Sequence, residues 1–320
     1  MTRLGGHLVR SLCGFAFAVG VFWLLIHLSG FRWADFVATV SGISASTFLI
    51  FALLSLAAMH CAVSKWRLLW SVREGAAPAW GVVMRYQTLE NLLCQVLPKA
   101  AAPLLVKTWA MRHHGASLKL GFGTALLDKM FDTLVIVCLF PGLLALLAGW
   151  SQVSIGLLTL GVLVGAGVLL LAFRRMVPGL VRLAARLLRR EQDQGSVRFW
   201  EAATAPGRVT GLYIWAVLRI GLLGVRAAVL ALCLGLDLPF VPASILACTS
   251  QLAGALGLTP GGVGLFEGLF YFTAQAAALA STQIVALLLA LRMLQYLATS
   301  VLALLFWLVP LLQRLTRSNG

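Results

Sequence analysis

The stretch Thr259-Pro260-Gly261-Gly262-Val263-Gly264-Leu265-Phe266-Glu267-Gly268 interrupts an otherwise apolar region running from Leu238 to Leu279. A Pro-Gly-Gly break and an ionisable carboxylate are both costly at membrane depth. Irregular backbone survives there only where it is buried in protein or lines a wet cavity. An intramembrane carboxylate is a functional-site candidate by default. This stretch therefore predicts a polar site built inside a bilayer.

The rest of the chain fits that setting. Of its 320 residues, 61% are hydrophobic and 11% are charged, and the mean hydropathy is +0.96. A soluble domain has roughly 25% charged residues. Several apolar runs exceed the ~18 residues that indicate a span. We expect an all-α, polytopic integral membrane bundle, with residues 1–320 as one transmembrane domain. Lys and Arg outnumber Asp and Glu by 25 to 10. That excess reads as cytoplasmic loop charge meeting anionic lipid, not as a nucleic-acid surface. The six cysteines lie in apolar segments without a CxxC pair, so they read as small hydrophobes.

Six full spans are expected, at about 8–29, 37–62, 120–148, 153–173, 209–235 and 284–311. The first is read as an uncleaved span, although Arg3 and Arg10 precede it as they would in a signal peptide. Residues 174–208 carry eight arginines against Glu191, Asp193 and Glu201. This marks a basic cytoplasmic loop, and its Leu and Arg spacing suggests a helix lying on the membrane surface. With Arg314 and Arg317 at the end, both termini are expected on the cytoplasmic side. Gly161 and Gly165 suit close helix packing, inside the bundle or in a homodimer, with internal packing expected.

Two segments do not read as simple spans. Residues 86–106 contain Pro98 and Pro103. They lie between a basic loop holding Lys65, Arg67, Arg73 and Arg85 and a second basic stretch holding Lys107, Arg112 and Lys119. Residues 243–280 are two short apolar pieces around Thr259-Pro260. Both are expected to be re-entrant or broken helical hairpins whose tips meet near the midplane. Paired broken segments of this kind suggest an inverted repeat.

The candidate site residues follow from depth and charge. A half-helix beginning after the Pro260-Gly261-Gly262 turn would aim free N–H groups inward, and Gly264 would let an anion approach the backbone. Glu267 falls in that helix's first turn. It either serves a ligand site or caps its own helix and pairs with an arginine, Arg292 being the first choice. Asp128 and Asp132 share a helix face. Two close carboxylates require a cation between them or a proton on one. Lys129 can reach Asp132, and Arg219, Arg226 and Arg292 are further partners. Arg219 and Arg226 stand roughly 10 Å apart along one helix. Of the deep charges, Lys129, Arg219, Arg226 and Arg292 outnumber Asp128, Asp132 and Glu267, while Glu90 and Lys99 are taken to cancel. A dry cavity with a positive surplus invites an anionic ligand. No metal, cofactor or nucleotide pattern occurs: His113 and His114 are adjacent, and neither a Walker A nor a Rossmann fingerprint is present.

The run Pro260-Gly261-Gly262-Val263-Gly264-Leu265-Phe266-Glu267 resembles the Pro-Gly-Gly-x-Gly-x-x-Glu signature of the lysylphosphatidylglycerol synthase transmembrane-domain family. Asp128-Lys129-Met130-Phe131-Asp132 resembles that family's Glu-Arg-x-x-Asp element, and Arg292 is similar in placement to an arginine of its last span. Where the family's first broken segment has Pro-Gly-x-x-Gly-acid and then an arginine, this chain has Pro98-Lys99-Ala100-Ala101-Ala102-Pro103, with Lys107 as the nearest base. The resemblance implies a flippase-type domain of the bacterial cytoplasmic membrane without the soluble aminoacyltransferase. It thus implies transport, not catalysis. Three readings follow. The first is a protein that binds an anionic lipid and moves it between leaflets. The second is an accessory subunit that presents lipid to a separate glycolipid, hopanoid or aminoacyl-lipid enzyme. The third is an intramembrane lipid transferase using Glu267 or Asp128 as base.

Overall fold

Ser44 and Ser117 begin two of the long helices by accepting the backbone N–H groups of Thr47 (3.1 Å) and Leu120 (3.2 Å), which are otherwise orphaned in a first turn. The helices are α1 (Ala45–Trp70), α2 (Trp80–Val96), α3 (Ala101–His113), α4 (Leu118–Cys138), α5 (Phe140–Leu147), α6 (Gln152–Phe173), α7 (Pro206–Cys233), α8 (Phe240–Ala255), α9 (Leu265–Ala276) and α10 (Ser281–Ser318). The computed structural model describes residues 34, 37, 41–71, 77–173, 202–236, 238–255, 264–276 and 280–318. The expected span at 8–29 and nearly all of the basic loop 174–208, including its surface helix, lie outside the described residues.

Five stretches are long and apolar enough to cross a bilayer: Ala45–Trp70, Leu118–Leu147, Gln152–Ala172, Pro206–Cys233 and Ser281–Leu308. They correspond to the five expected spans that fall within the described residues. The second stretch comprises α4 and α5, offset at Leu139 where Pro141 removes a backbone donor. α5 and α7 end alike. Gly149 (φ 74) and Gly235 (φ 66) take the left-handed conformation, and the next N–H returns to the carbonyl five residues back, Trp150 to Ala145 and Leu236 to Ala231, each at 3.0 Å. These two sharp stops make the turns expected at 149–152 and 236–242.

Both broken segments are present. α2 stops at Leu97, Pro98 and the next two residues are non-helical, and α3 resumes at Ala101 and packs back on α2. α8 and α9 pack together across residues 256–263, which lie outside the described residues. The helix order is therefore long helix, broken hairpin, long helix in each half. Exchanging α1 with α7, α2 with α8, α3 with α9 and α4 with α10 maps packed pairs onto packed pairs. Thus α1–α10 becomes α7–α4, α2–α10 becomes α8–α4, and α3–α4 becomes α9–α10. The two members of each pair are one repeated unit in contact terms.

α1 and α7 form the centre, packed along each other more extensively than any other described pair. Around them lie three apolar clusters: one with α8, α9 and α10, one with α4, and one joining α1 to the first hairpin. α6 is peripheral. Little of it is buried, and Val153, Leu157, Leu160, Val164 and Val168 all face outward, as an all-round apolar helix facing lipid does. Gly161 and Gly165 are on this outer surface, and a Cβ added at either would meet nothing within 4 Å. Among the described residues, therefore, no helix packs on them, and the expected internal packing is not found there. Close approaches among the described residues are instead made by Gly121 on Thr108, Gly142 on Thr159, Gly167 on Tyr213, Gly211 on Leu68 and Gly224 on Ser244.

Candidate functional site

α4 presents Asp128 and Asp132 inward, one helical turn apart, and both are almost wholly buried. Their cations come from three other helices. Lys65 of α1 donates to Asp132 and, at 3.0 Å, to the backbone carbonyl of Asp128; its Nζ is also 3.0 Å from the Asp128 carboxylate. Lys107 of α3 donates to Asp128 and lies 3.5 Å from Glu90 of α2. Arg219 of α7 donates to Asp132. The cations between the paired carboxylates are thus Lys65, Lys107 and Arg219. Lys129, expected to reach Asp132, makes no ion pair among the described residues, because the Asp132 oxygens are taken by Lys65 and Arg219. Neither Arg226 nor Arg292 pairs with these aspartates.

The sequence reading sets Lys65 and Lys107 among loop bases, and the structure overturns this. Their exposures are 0% and 1%, and α1 continues to Trp70, eight residues past the expected end of its span. A sequence signal for this exists. Each lysine has apolar helical residues on both sides, Ala62-Val63 and Leu68-Leu69-Trp70 for the first, Leu104-Leu105-Val106 and Trp109-Ala110-Met111 for the second. A base at a true span end has them on one side only. The expected cancellation of Glu90 by Lys99 is also wrong: Glu90 faces Lys107, and Lys99 lies over the Phe266 ring at 5.2 Å.

That Phe266 contact joins the two broken segments. Lys99 belongs to the tip of the first hairpin, and Phe266 to the first turn of α9 in the second. Arg292 of α10 covers the same ring at 5.0 Å and donates from Nε to Glu267 Oε1 at 2.5 Å. The other Glu267 oxygen accepts the N–H of Gly264 at 2.7 Å, while the Gly264 carbonyl accepts the N–H of Gly268 at 2.8 Å. This is the backbone half of a capping box, with Gly264 (φ 87) as the cap and Glu267 at the third helical position. The Gly264 N–H is thus occupied within the chain instead of facing a ligand. Pro260, Gly261 and Gly262 lie outside the described residues.

Beside the aspartate network lies a cavity of about 350 Å³. Its charged lining is Glu90, Lys99, Lys129, Asp132, Arg219 and Arg226, four cations against two carboxylates. Neutral polar groups, among them Ser55, Gln87, Asn91, Gln251 and Gln295, complete the wall. Arg226 is the distinctive member. Its Nη atoms donate to Ser55 (3.1 Å) and Gln295 (3.4 Å), its guanidinium covers Phe51, and its buried Nε has no partner. Among the described residues no carboxylate pairs with it. Gln87 is 1% exposed, and its Oε1 is also without a partner. These amides had no signature in the sequence, since Gln and Asn in an apolar helix read equally well as packing.

Residues 11–303 match the family described as Lysylphosphatidylglycerol synthase TM region. The chain belongs to that family. No curated protein and no solved structure matches it. Membership and the apolar helices make this an integral membrane protein related to lipid modification or transport. The matched region takes in both broken segments, the aspartate network and the polar cavity.

Proposed function

We propose that this protein binds an anionic lipid head group in the polar cavity and moves the lipid between leaflets, in the bacterial cytoplasmic membrane with both termini on the cytoplasmic side. The observation that carries the reading is Arg226: a buried guanidinium with a free Nε, no carboxylate partner among the described residues, and a place on a cavity wall where cations outnumber carboxylates. A buried charge without a partner is strongly unfavourable, and a phosphate entering the cavity would supply the missing anion with paired acceptor oxygens. The orientation is supported by the arginine-rich stretch 174–208 and by Arg314 and Arg317.

The transferase reading has less support. A general base must be free to take a proton. Asp128 and Asp132 are each held by two cations, and both Glu267 oxygens are engaged.

The test uses the purified chain in vesicles containing fluorescent phosphatidylglycerol or phosphatidylcholine, with leaflet exposure read by chemical quenching. Wild type should translocate the anionic lipid faster. Arg226→Gln and Arg219→Gln should each reduce that preference, by about tenfold for Arg226, equivalent to about 1.4 kcal/mol. Wild-type preference in both variants would sink the reading. Specific binding of phosphatidylglycerol without translocation would transfer support to the accessory-subunit reading.

A further inference from the structure

A second cavity, of about 240 Å³, lies between α4, α6, α7 and α8, and its lining is almost wholly apolar, including Leu139, Leu163 and Ile245. It opens towards the outer surface, where Leu160 and Phe240 are exposed; the half-buried Gly156 of α6 and the exposed Gly221 of α7 line it, and a Cβ added at either would meet nothing within 4 Å. Gly142, Gly167 and Gly224, by contrast, meet a neighbouring side chain at once. Here the missing side chains leave space.

The two cavities adjoin. Along α7, Arg219 lines the polar cavity, Ile220 lines both, and Gly221 lines the apolar one. α4 divides in the same way, with Asp132, Thr133 and Ile136 on the polar side and Val135 and Leu139 on the apolar side. On α8, Gln251 faces the polar cavity, and Ser244, Ile245 and Cys248 face the apolar one. The outer wall is α6, the long helix least buried by the bundle. A polar chamber sharing one isoleucine with an apolar chamber, beside a lipid-facing helix, has the shape of an amphiphile.

We propose that the apolar cavity is the subsite for a hydrocarbon chain of the same lipid whose head group enters the polar cavity, an inference that rests on the lipid-binding reading above. Ile220 divides chain from head. Ser244 Oγ, buried without a partner on the apolar wall, is the hydroxyl there suited to the ester carbonyl at the top of an acyl chain. The chain is anchored by apolar burial, which is proportional to its length within the cavity.

The experiment is a titration of the full-length protein in detergent, followed by native mass spectrometry. The probes are dioleoyl-phosphatidylglycerol, short-chain dihexanoyl-phosphatidylglycerol and dioleoyl-phosphatidylcholine. Gly221→Leu and Gly156→Leu fill the cavity from opposite helices. Gly161→Leu adds the same bulk on the outer face of α6, and Arg226→Gln removes the head-group cation. Each cavity-filling variant should weaken dioleoyl-phosphatidylglycerol by about tenfold and change dihexanoyl-phosphatidylglycerol little. Gly161→Leu should match wild type, and Arg226→Gln should weaken both anionic lipids. If the cavity-filling variants bind dioleoyl-phosphatidylglycerol normally while Arg226→Gln does not, the chain subsite is overturned and the head-group site stands. If they lower dioleoyl- and dihexanoyl-phosphatidylglycerol equally, the loss does not depend on chain length, and the proposal is overturned. If no variant differs from wild type, the lipid reading and this inference fall together. If Gly221→Leu and Gly156→Leu both fail to fold, the space is not open, which also overturns the inference.

Discussion

The aspartate network and the wall of the polar cavity are neighbours, yet they treat their cations in opposite ways. In the network, Lys65, Lys107 and Arg219 each meet a carboxylate, and each comes from a different helix. On the wall, Arg226 and Lys129 meet none among the described residues, although Asp132 is on the same cavity. Charges that tie α1, α3, α4 and α7 together are matched. Charges that border empty volume are left in surplus. On the lipid-binding reading proposed above, the first set holds the helices and the second receives the head group, with Arg219 belonging to both.

Asp128→Asn breaks this comparison at its strongest point. It leaves Lys65 and Lys107 buried with one carboxylate fewer, and removing one partner of a buried pair costs about 3–5 kcal/mol. The thermal midpoint in detergent should fall further than for any other single change proposed here. Adding Lys65→Met removes the surplus charge and leaves Lys107 with Glu90 and Arg219 with Asp132, so the double variant should be more stable than Asp128→Asn alone. If the second change destabilises further, the two residues are not one unit, and the network does not act as a matched set.

Glu267→Gln tests an intermediate case, a pair that also caps a helix. The glutamine oxygen can still accept the Gly264 N–H, but Arg292 loses its counter-charge. The expected cost is about 2 kcal/mol, the scale of a hydrogen bond to a charged group. Expression should persist, and translocation of the anionic lipid should fall, because Arg292 and Lys99 share the Phe266 ring where the two hairpins meet. Full transport activity in this variant would reduce Glu267 to a local cap.

The sequence was most readable where physics demands compensation over short distances. The Pro-Gly-Gly-x-Gly-x-x-Glu run announced a helix start and a deep carboxylate, and the Glu267–Arg292 pair needed only the rule that a buried charge seeks a partner. The spans were legible from hydropathy because a bilayer imposes a length. The central network was half hidden, because Lys65 and Lys107 sit near the ends of apolar runs, where loop bases also sit. Their burial depends on α1 and α3 packing against α4, which is a tertiary fact. Of the cavity, the expected charges Lys129, Asp132, Arg219 and Arg226 are on the wall, but its neutral polar lining was hidden. Gln87, Asn91, Gln251 and Gln295 converge from α2, α8 and α10, and no spacing along one helix encodes convergence between helices. Gly161 and Gly165 failed for the same reason: their spacing permits a close approach, but no helix faces them among the described residues.

Lys129 offers the smallest effect and the finest test. It follows Asp128 directly in α4, yet it is half-buried on the cavity wall and makes no ion pair among the described residues. If the two regions differ as argued, Lys129→Gln should leave the thermal midpoint within the spread of ordinary surface changes, about 0.5 kcal/mol. It should still weaken the preference for phosphatidylglycerol over phosphatidylcholine, by about fivefold, because a cation bordering the cavity acts on the head group through a medium of intermediate dielectric. Lys129→Arg keeps the charge and should keep the preference. Raising the salt concentration should narrow the gap between wild type and Lys129→Gln less than it would at an exposed site, since a partly buried charge is poorly screened. A loss of stability comparable to that of Asp128→Asn would place Lys129 inside the matched network. The division between holding charges and receiving charges would then have to be redrawn around Arg226 and Lys99.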